Sequence, residues 1–190
     1  SQAGLVGGGS NPRPGEISLA HNGVLFLDEL TEFNRATLEV LREPLESRSV
    51  LISRANCSVE YPASFLLVVA LNPCPCGFFG DRKNRCVCTQ QQVARYLAKL
   101  SGPLLDRIDL HINVSSVDYK DVKSNGSENR GSKEMFELIE AAVEKQIKRF
   151  GEMRNAFMGS DQIEKFCQLT TDAEAVIRLA FDRLKMSMRG

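Results

Sequence analysis

Two groups of residues in this 190-residue chain have the types and spacing to do chemistry. The first is the pair Asp28-Glu29, which follows directly on the apolar run Val24-Leu25-Phe26-Leu27. One carboxylate in such a place can hold Mg²⁺, directly or through water, while the next polarises an attacking water as a general base. A strand that simply ends in a polar turn gives the same short pattern, so on these residues alone both readings stand. The second group is Cys74-Pro75-Cys76 and, nine residues on, Cys86-Val87-Cys88. Two CxC pairs on one loop can converge four thiolates, a donor set suited to tetrahedral Zn²⁺ with no open position. Disulfides and free thiols are the competing readings. Zinc is preferred because nothing at the start of the chain reads as a secretory signal, and disulfides do not persist in the cytosol. Cys57 and Cys167 stand apart from the others and are expected to be buried packing residues.

These residues need elements to hold them. Val24 to Leu27, between Asn22-Gly23 and the acids, predicts a strand buried on both faces of a parallel sheet. Ligands of open α/β sheets gather beyond the carboxyl ends of the strands, which is where Asp28 and Glu29 fall. Phe65 to Leu71 predicts a second buried strand, ending in Asn72-Pro73. Two such strands, each ending in a group able to touch a phosphate or a water, favour the catalytic reading. Between them, Asn34 caps a predicted helix carrying Leu38, Leu41 and Leu45, with Pro44 to kink or end it. Residues 50–61 then read as a β-hairpin bearing Arg48 and Arg54 along it.

Upstream, residues 1–10 suggest no element of their own and look like the cut start of a longer protein. Asn11 to Gly15 and the alternating Glu16 to Ala20 suggest a loop or hairpin leading into the first strand. The Gly7–Gly9 run is no Walker A loop, since that needs GxxxxGK and no Gly-Lys pair occurs in the 190 residues. Downstream, residues 90–100 read as a helix, and Pro103 opens a short segment ending at Arg107. Ile108 to Val114 alternates like a strand, with His111 a surface or half-buried member. Arg107 can pair with Asp106 or Asp109, or reach a phosphate on a neighbouring subunit. Residues 115–132 read as a linker, and 133–190 as a small helical domain whose third helix is capped by Thr171-Asp172.

Lys+Arg and Asp+Glu both number 24, so no global basic field draws in nucleic acid and any such surface must be a local patch. No apolar run approaches a membrane span, and a cytoplasmic protein with no membrane partner is expected.

The order of a buried strand with DE, a hairpin, a buried strand with Asn, an Arg-led strand and a helical lid resembles the AAA+ ATPases. More narrowly, LVGGGSNPRPGEISLAHNGVLFLDEL, LREPLES, ALNPCPCG and LSGPLLDRIDLHINV together resemble the magnesium-chelatase-like family, in its ComM-like branch. The likeness covers nearly all of 1–114; beyond that it lies in the helical layout and the terminal SMRG.

The resemblance implies an α/β fold: the C-terminal part of a AAA+ parallel sheet with β-hairpin insertions over 1–114, a linker over 115–132, and an all-helical lid over 133–190. It implies ATP and Mg²⁺ as cofactors. Asp28 is then the Walker B ligand of Mg²⁺, Glu29 the base that orients the attacking water, and Asn72 the sensor that holds that water near the γ-phosphate. Arg107 is the arginine finger given in trans to the next subunit of a homo-oligomeric ring, expected to be a hexamer; in other NTPases such a finger speeds hydrolysis about 10³- to 10⁵-fold. Arg189 is the lid's arginine for the nucleotide. Arg13, Arg48 and Arg54, on or near hairpins around 12–22 and 50–61, are placed to track a DNA backbone. The implied function is a DNA-stimulated motor for branch migration or helicase work. A chelatase motor driving metal into a porphyrin is the alternative, and a zinc-stabilised binding module with a decayed nucleotide site is a third. With no Walker A loop, the 190 residues alone are expected to be inactive.

Overall fold

The computed structural model describes residues 1–9, 11–54, 57–81, 83–114, 116, 130–151 and 154–184. They form two compact units, one drawn from Ser1–Ser116 and the other from Val117–Met186.

The first unit opens with a helix, α1 (Gln2–Val6), where none was expected. Ser1 explains it, because its hydroxyl caps the Gly4 N–H and Leu5 turns into the core. Next come β1 (Gly7–Gly8) and β2 (Arg13–Pro14), an antiparallel pair. The hairpin expected near residues 12–22 is therefore real but lies earlier. Gly7 holds φ 96°, and a Cβ there would sit 2.1 Å from the Arg13 carbonyl oxygen. The alternation at Glu16 to Ala20 is not a strand. Those residues form a single helical turn, α2 (Glu16–Leu19), with the Gly15 carbonyl accepting from Ser18 and Leu19. So short a run satisfies either period, and burying Ile17 completely decides between them.

β3 (Val24–Leu27) and β6 (Leu66–Val69) pair in parallel, with Leu27 level with Val69. Their burial is one-sided rather than two-sided: Leu25 and Leu27 are each 7% exposed, while Val24 and Phe26 are each 58% exposed. The inner face packs on Ile17, Leu30, Leu38, Leu41 and Leu104. Among the described residues no layer covers the outer face.

Between these strands the expected helix is two short ones, α3 (Arg35–Glu39) and α4 (Arg42–Ser47). Asn34 caps the first, its Oδ1 accepting the Thr37 N–H at 2.8 Å. Pro44 accounts for the break, since its ring excludes the helical carbonyl four residues earlier, at Val40; in the first turn of α4 it is tolerated. The hairpin is present as β4 (Ser49–Arg54) and β5 (Cys57–Pro62), in register from Ser49–Pro62 to Arg54–Cys57.

α5 (Gln90–Leu97) starts at a capping box between Thr89 and Gln92, and α6 (Gly102–Leu105) at Ser101. Ile108 to Val114 forms no strand. It has no ladder partner among the described residues, and Leu110, Ile112 and Val114 are at least 81% exposed. Alternation offers one apolar face, but a strand also needs a neighbour for its backbone.

The second unit is helical, as expected: α7 (Ser132–Phe150), a 3₁₀ turn at Asn155–Phe157, α8 (Ser160–Phe166) and α9 (Thr171–Leu184). The cap of α9 is Thr170, one residue before the expected pair, with its Oγ1 accepting the Ala173 N–H at 3.3 Å. Phe150 and Phe166 meet edge to face at 5.2 Å between centroids. Most of the expected linker lies outside the described residues. No helix among the described residues is long and apolar enough to cross a membrane.

Candidate functional site

The carboxyl ends of β3 and β6 are level, and two backbone bonds stitch the segments that leave them. Ala70 N–H donates to the Leu27 carbonyl and Leu30 N–H to the Ala70 carbonyl, each at 3.0 Å. Asp28 and Glu29 are the residues between those stitches. Glu29 is left-handed, with φ 50° and ψ 47°, a conformation that costs a residue other than glycine roughly 1–2 kcal/mol. Its N–H donates to Asp28 Oδ1 at 2.8 Å. The turn sends Leu30 straight back into the core while both carboxylates stay exposed.

Beyond the strand ends lies an open cleft of about 380 Å³, lined by Glu29, Glu32, Asn72, Pro75 and Tyr96. The fold thus brings Glu29 and Asn72, 43 positions apart, onto one cavity; Asp28, whose carboxylate accepts the Glu29 N–H, is not among the residues that line it. A carboxylate facing a solvent-filled cleft can draw off a water's proton, and a carboxamide on the same cleft can hydrogen-bond that water. Glu32 and Tyr96 were not expected there. Glu32 follows Glu29 by one 3₁₀ turn, a spacing the sequence does reveal. Tyr96 arrives on α5 by tertiary packing, for which no local signal exists.

Arg107, just beyond α6, does not line this cleft. Its guanidinium donates to the Pro103 carbonyl at 2.7 Å and to Glu46 Oε2 on α4 at 2.5 Å. Arg107 thus pairs with Glu46, 61 positions away, in place of the pairing considered with Asp106 or Asp109. The Arg107 side chain is 16% exposed and its Nε has no partner.

The four loop thiols converge. Cys74 Sγ lies 3.3 Å from Cys76 Sγ and 3.7 Å from Cys86 Sγ, Cys76 and Cys86 are 3.6 Å apart, and with Cys88 all four fall within 4.8 Å of one another. A tetrahedral Zn²⁺ with Zn–S bonds of about 2.3 Å sets its sulfurs roughly 3.8 Å apart, so the donor set fits the ion. The backbone N–H groups of Phe78 and Val87 bring the Cys76 thiol down to about 6, as suits a sulfur held as thiolate. Burial pushes Cys88 up to about 12. Cys57 and Cys167 are exposed, not buried as expected; Cys57 sits where β5 leaves the hairpin tip, away from the core.

Of the expected nucleic-acid arginines, Arg13 is exposed on β2. Arg48 ends α4 in a left-handed conformation, with φ 60°. Arg54 is engaged, its Nε donating to the Gly9 carbonyl at 3.3 Å and its Nη1 to Ser53 at 3.1 Å. Tyr61 Oη donates to the Pro12 carbonyl at 3.0 Å, so the β4–β5 hairpin is clasped to the β1–β2 turn. Arg189 lies outside the described residues.

The family model described as magnesium chelatase, subunit ChlI, matches residues 1–122, and the one for its C-terminal region matches 129–190. The chain belongs to the magnesium chelatase family. It is 44% identical over 189 residues to the competence protein ComM of Haemophilus influenzae, covering 100% of this chain and 36% of that protein. YifB of Escherichia coli is 43% identical over 185 residues, 97% of this chain and 36% of that protein. The chloroplastic magnesium-chelatase subunit ChlI of Nicotiana tabacum is 25% identical over 148 residues, 75% of this chain and 30% of that one. This member of the magnesium chelatase family, a AAA+ ATPase family, thus stands in the ComM branch, and it spans about a third of the length of the relatives it matches most fully.

Proposed function

We propose that this chain carries the water-activating part of an ATP site in a ring-forming, DNA-stimulated motor of the ComM type. The observation that carries the reading is the cleft that Glu29 and Asn72 share at the level ends of two parallel strands. Asp28 binds the cation, Glu29 accepts the proton of the attacking water, and the Asn72 carboxamide fixes that water's position. Mg²⁺, when bound, neutralises charge on the β- and γ-phosphates. Arg107 serves a neighbouring subunit's nucleotide, for which it must give up Glu46. Arg13, Arg48 and Arg54 contact the DNA backbone, and Arg189 the nucleotide. The ring is a hexamer, the protein is cytoplasmic, and a structural Zn²⁺ closes the four-thiol loop. The 190 residues alone hydrolyse no ATP, because they contain no Gly-Lys pair to hold the phosphates.

ComM at 44% identity against ChlI at 25% favours a DNA motor over a porphyrin-metal motor. Steady-state ATPase of the full-length protein tests this, with and without single-stranded and branched DNA. DNA should raise turnover, with an effect that weakens steeply as salt rises, and Glu29→Gln should lower turnover at least a hundredfold. Turnover indifferent to every DNA structure would remove the DNA reading, and full activity in Glu29→Gln would remove the cleft from catalysis.

A further inference from the structure

The loop that carries Glu29 is held from two sides. On one, Leu30 N–H is bonded to Ala70 beyond β6. On the other stands Thr31, a polar residue with no solvent exposure, whose hydroxyl donates to Tyr96 Oη and whose carbonyl accepts Lys99 Nζ at 2.5 Å. Tyr96 and Lys99 are one helical turn apart, at the end of α5 and just beyond it, and the ammonium lies 5.8 Å from the tyrosine ring centroid. α5 therefore grips the loop two residues after Glu29. The Tyr96 side chain also lines the cleft itself, beside Glu29 and Asn72. Among the described residues the Thr31 hydroxyl has no other hydrogen-bond partner, so deleting the tyrosine hydroxyl strands a buried hydroxyl where the loop must keep its shape.

We propose that Tyr96 is a positioning residue for Glu29, acting through Thr31 to hold the left-handed turn at the catalytic register. The inference rests on the hydrolytic reading of the cleft, but the grip is a separate physical claim.

The test uses the full-length protein and four variants: Tyr96→Phe, Thr31→Val, Thr31→Ser, and Tyr96→Phe combined with Thr31→Val. Tyr96→Phe and Thr31→Val should each lower kcat for ATP about tenfold with KM within twofold, as expected when an interaction that orders the reacting groups is lost. Thr31→Ser keeps the hydroxyl and should restore most of kcat, and the double variant should be no slower than either single one. Amide hydrogen exchange gives an activity-free readout. In Tyr96→Phe the amides of Leu30 and Glu32 should exchange about tenfold faster, while those of β3 stay unchanged. Wild-type kcat in Tyr96→Phe, equal loss in Thr31→Ser and Thr31→Val, or multiplied effects in the double variant would each overturn the proposal. If wild-type and Glu29→Gln proteins prove equally inactive, the hydrolytic reading fails by itself. The exchange experiment then still decides the grip: unchanged Leu30 and Glu32 amides overturn it.

Discussion

Replacing Cys74 by serine tests the thiol cluster most directly, since Cys74 is completely buried and lies 3.3 and 3.7 Å from two of its partners. The separations among Cys74, Cys76 and Cys86 fall a few tenths of an ångström short of the roughly 3.8 Å that tetrahedral ZnS₄ requires, and Cys88 lies within 4.8 Å of each, so small shifts bring the four sulfurs to bonding geometry. Structural zinc in small peptides is worth about 10–16 kcal/mol at neutral pH, comparable to the whole stability of a domain. Elemental analysis of protein purified without chelator should therefore give about one zinc per chain. Cobalt in its place should give the visible absorption of a tetrahedral tetrathiolate. Cys74→Ser should lose the metal and melt at a clearly lower temperature, whereas Cys57→Ser and Cys167→Ser, both at exposed thiols, should keep it. Metal-free protein that also fails to bind cobalt would refute the reasoning, as would equal metal loss in all three variants.

Two further outcomes follow from the geometry. Gly7→Ala should cost at least about 2 kcal/mol in urea denaturation, because its Cβ meets the Arg13 carbonyl; Gly77→Ala, also at positive φ but with nothing within 4 Å, should cost only about 1 kcal/mol. Equal costs would show that the contact with β2 gives way. A double-mutant cycle on Glu46→Ala and Arg107→Ala should show a coupling of about 1 kcal/mol, since Arg107 is mostly sheltered but Glu46 is 53% exposed and screened by solvent. A coupling near zero in thermal melts would mean the pair does not persist in solution.

The elements that hold the site were legible where a local signal sufficed. The two apolar runs, the Asn34 cap, the hairpin at 50–61 and the paired cysteines each carry their meaning within a dozen or so residues. What escaped depends on distant partners. Val24 and Phe26 look like core until one asks what packs over them, and Leu110 and Ile112 look like strand until one asks what pairs beside them. The same holds for Arg107, whose partner Glu46 lies 61 positions away, and for Tyr96, 65 from Thr31. Residues 16–20 failed for a different reason, being too short a run to separate a period of two from one of 3.6.

The clasp between the two hairpins has a mechanical meaning. Arg54 on the Gly9 carbonyl and Tyr61 on the Pro12 carbonyl are two pins joining one blade to another. At about 1 kcal/mol each, they make the hairpins move as one body under thermal agitation, with the joint open only a few per cent of the time. An anion that took the Arg54 guanidinium would remove one pin and leave Tyr61 alone to hold the glycine turn.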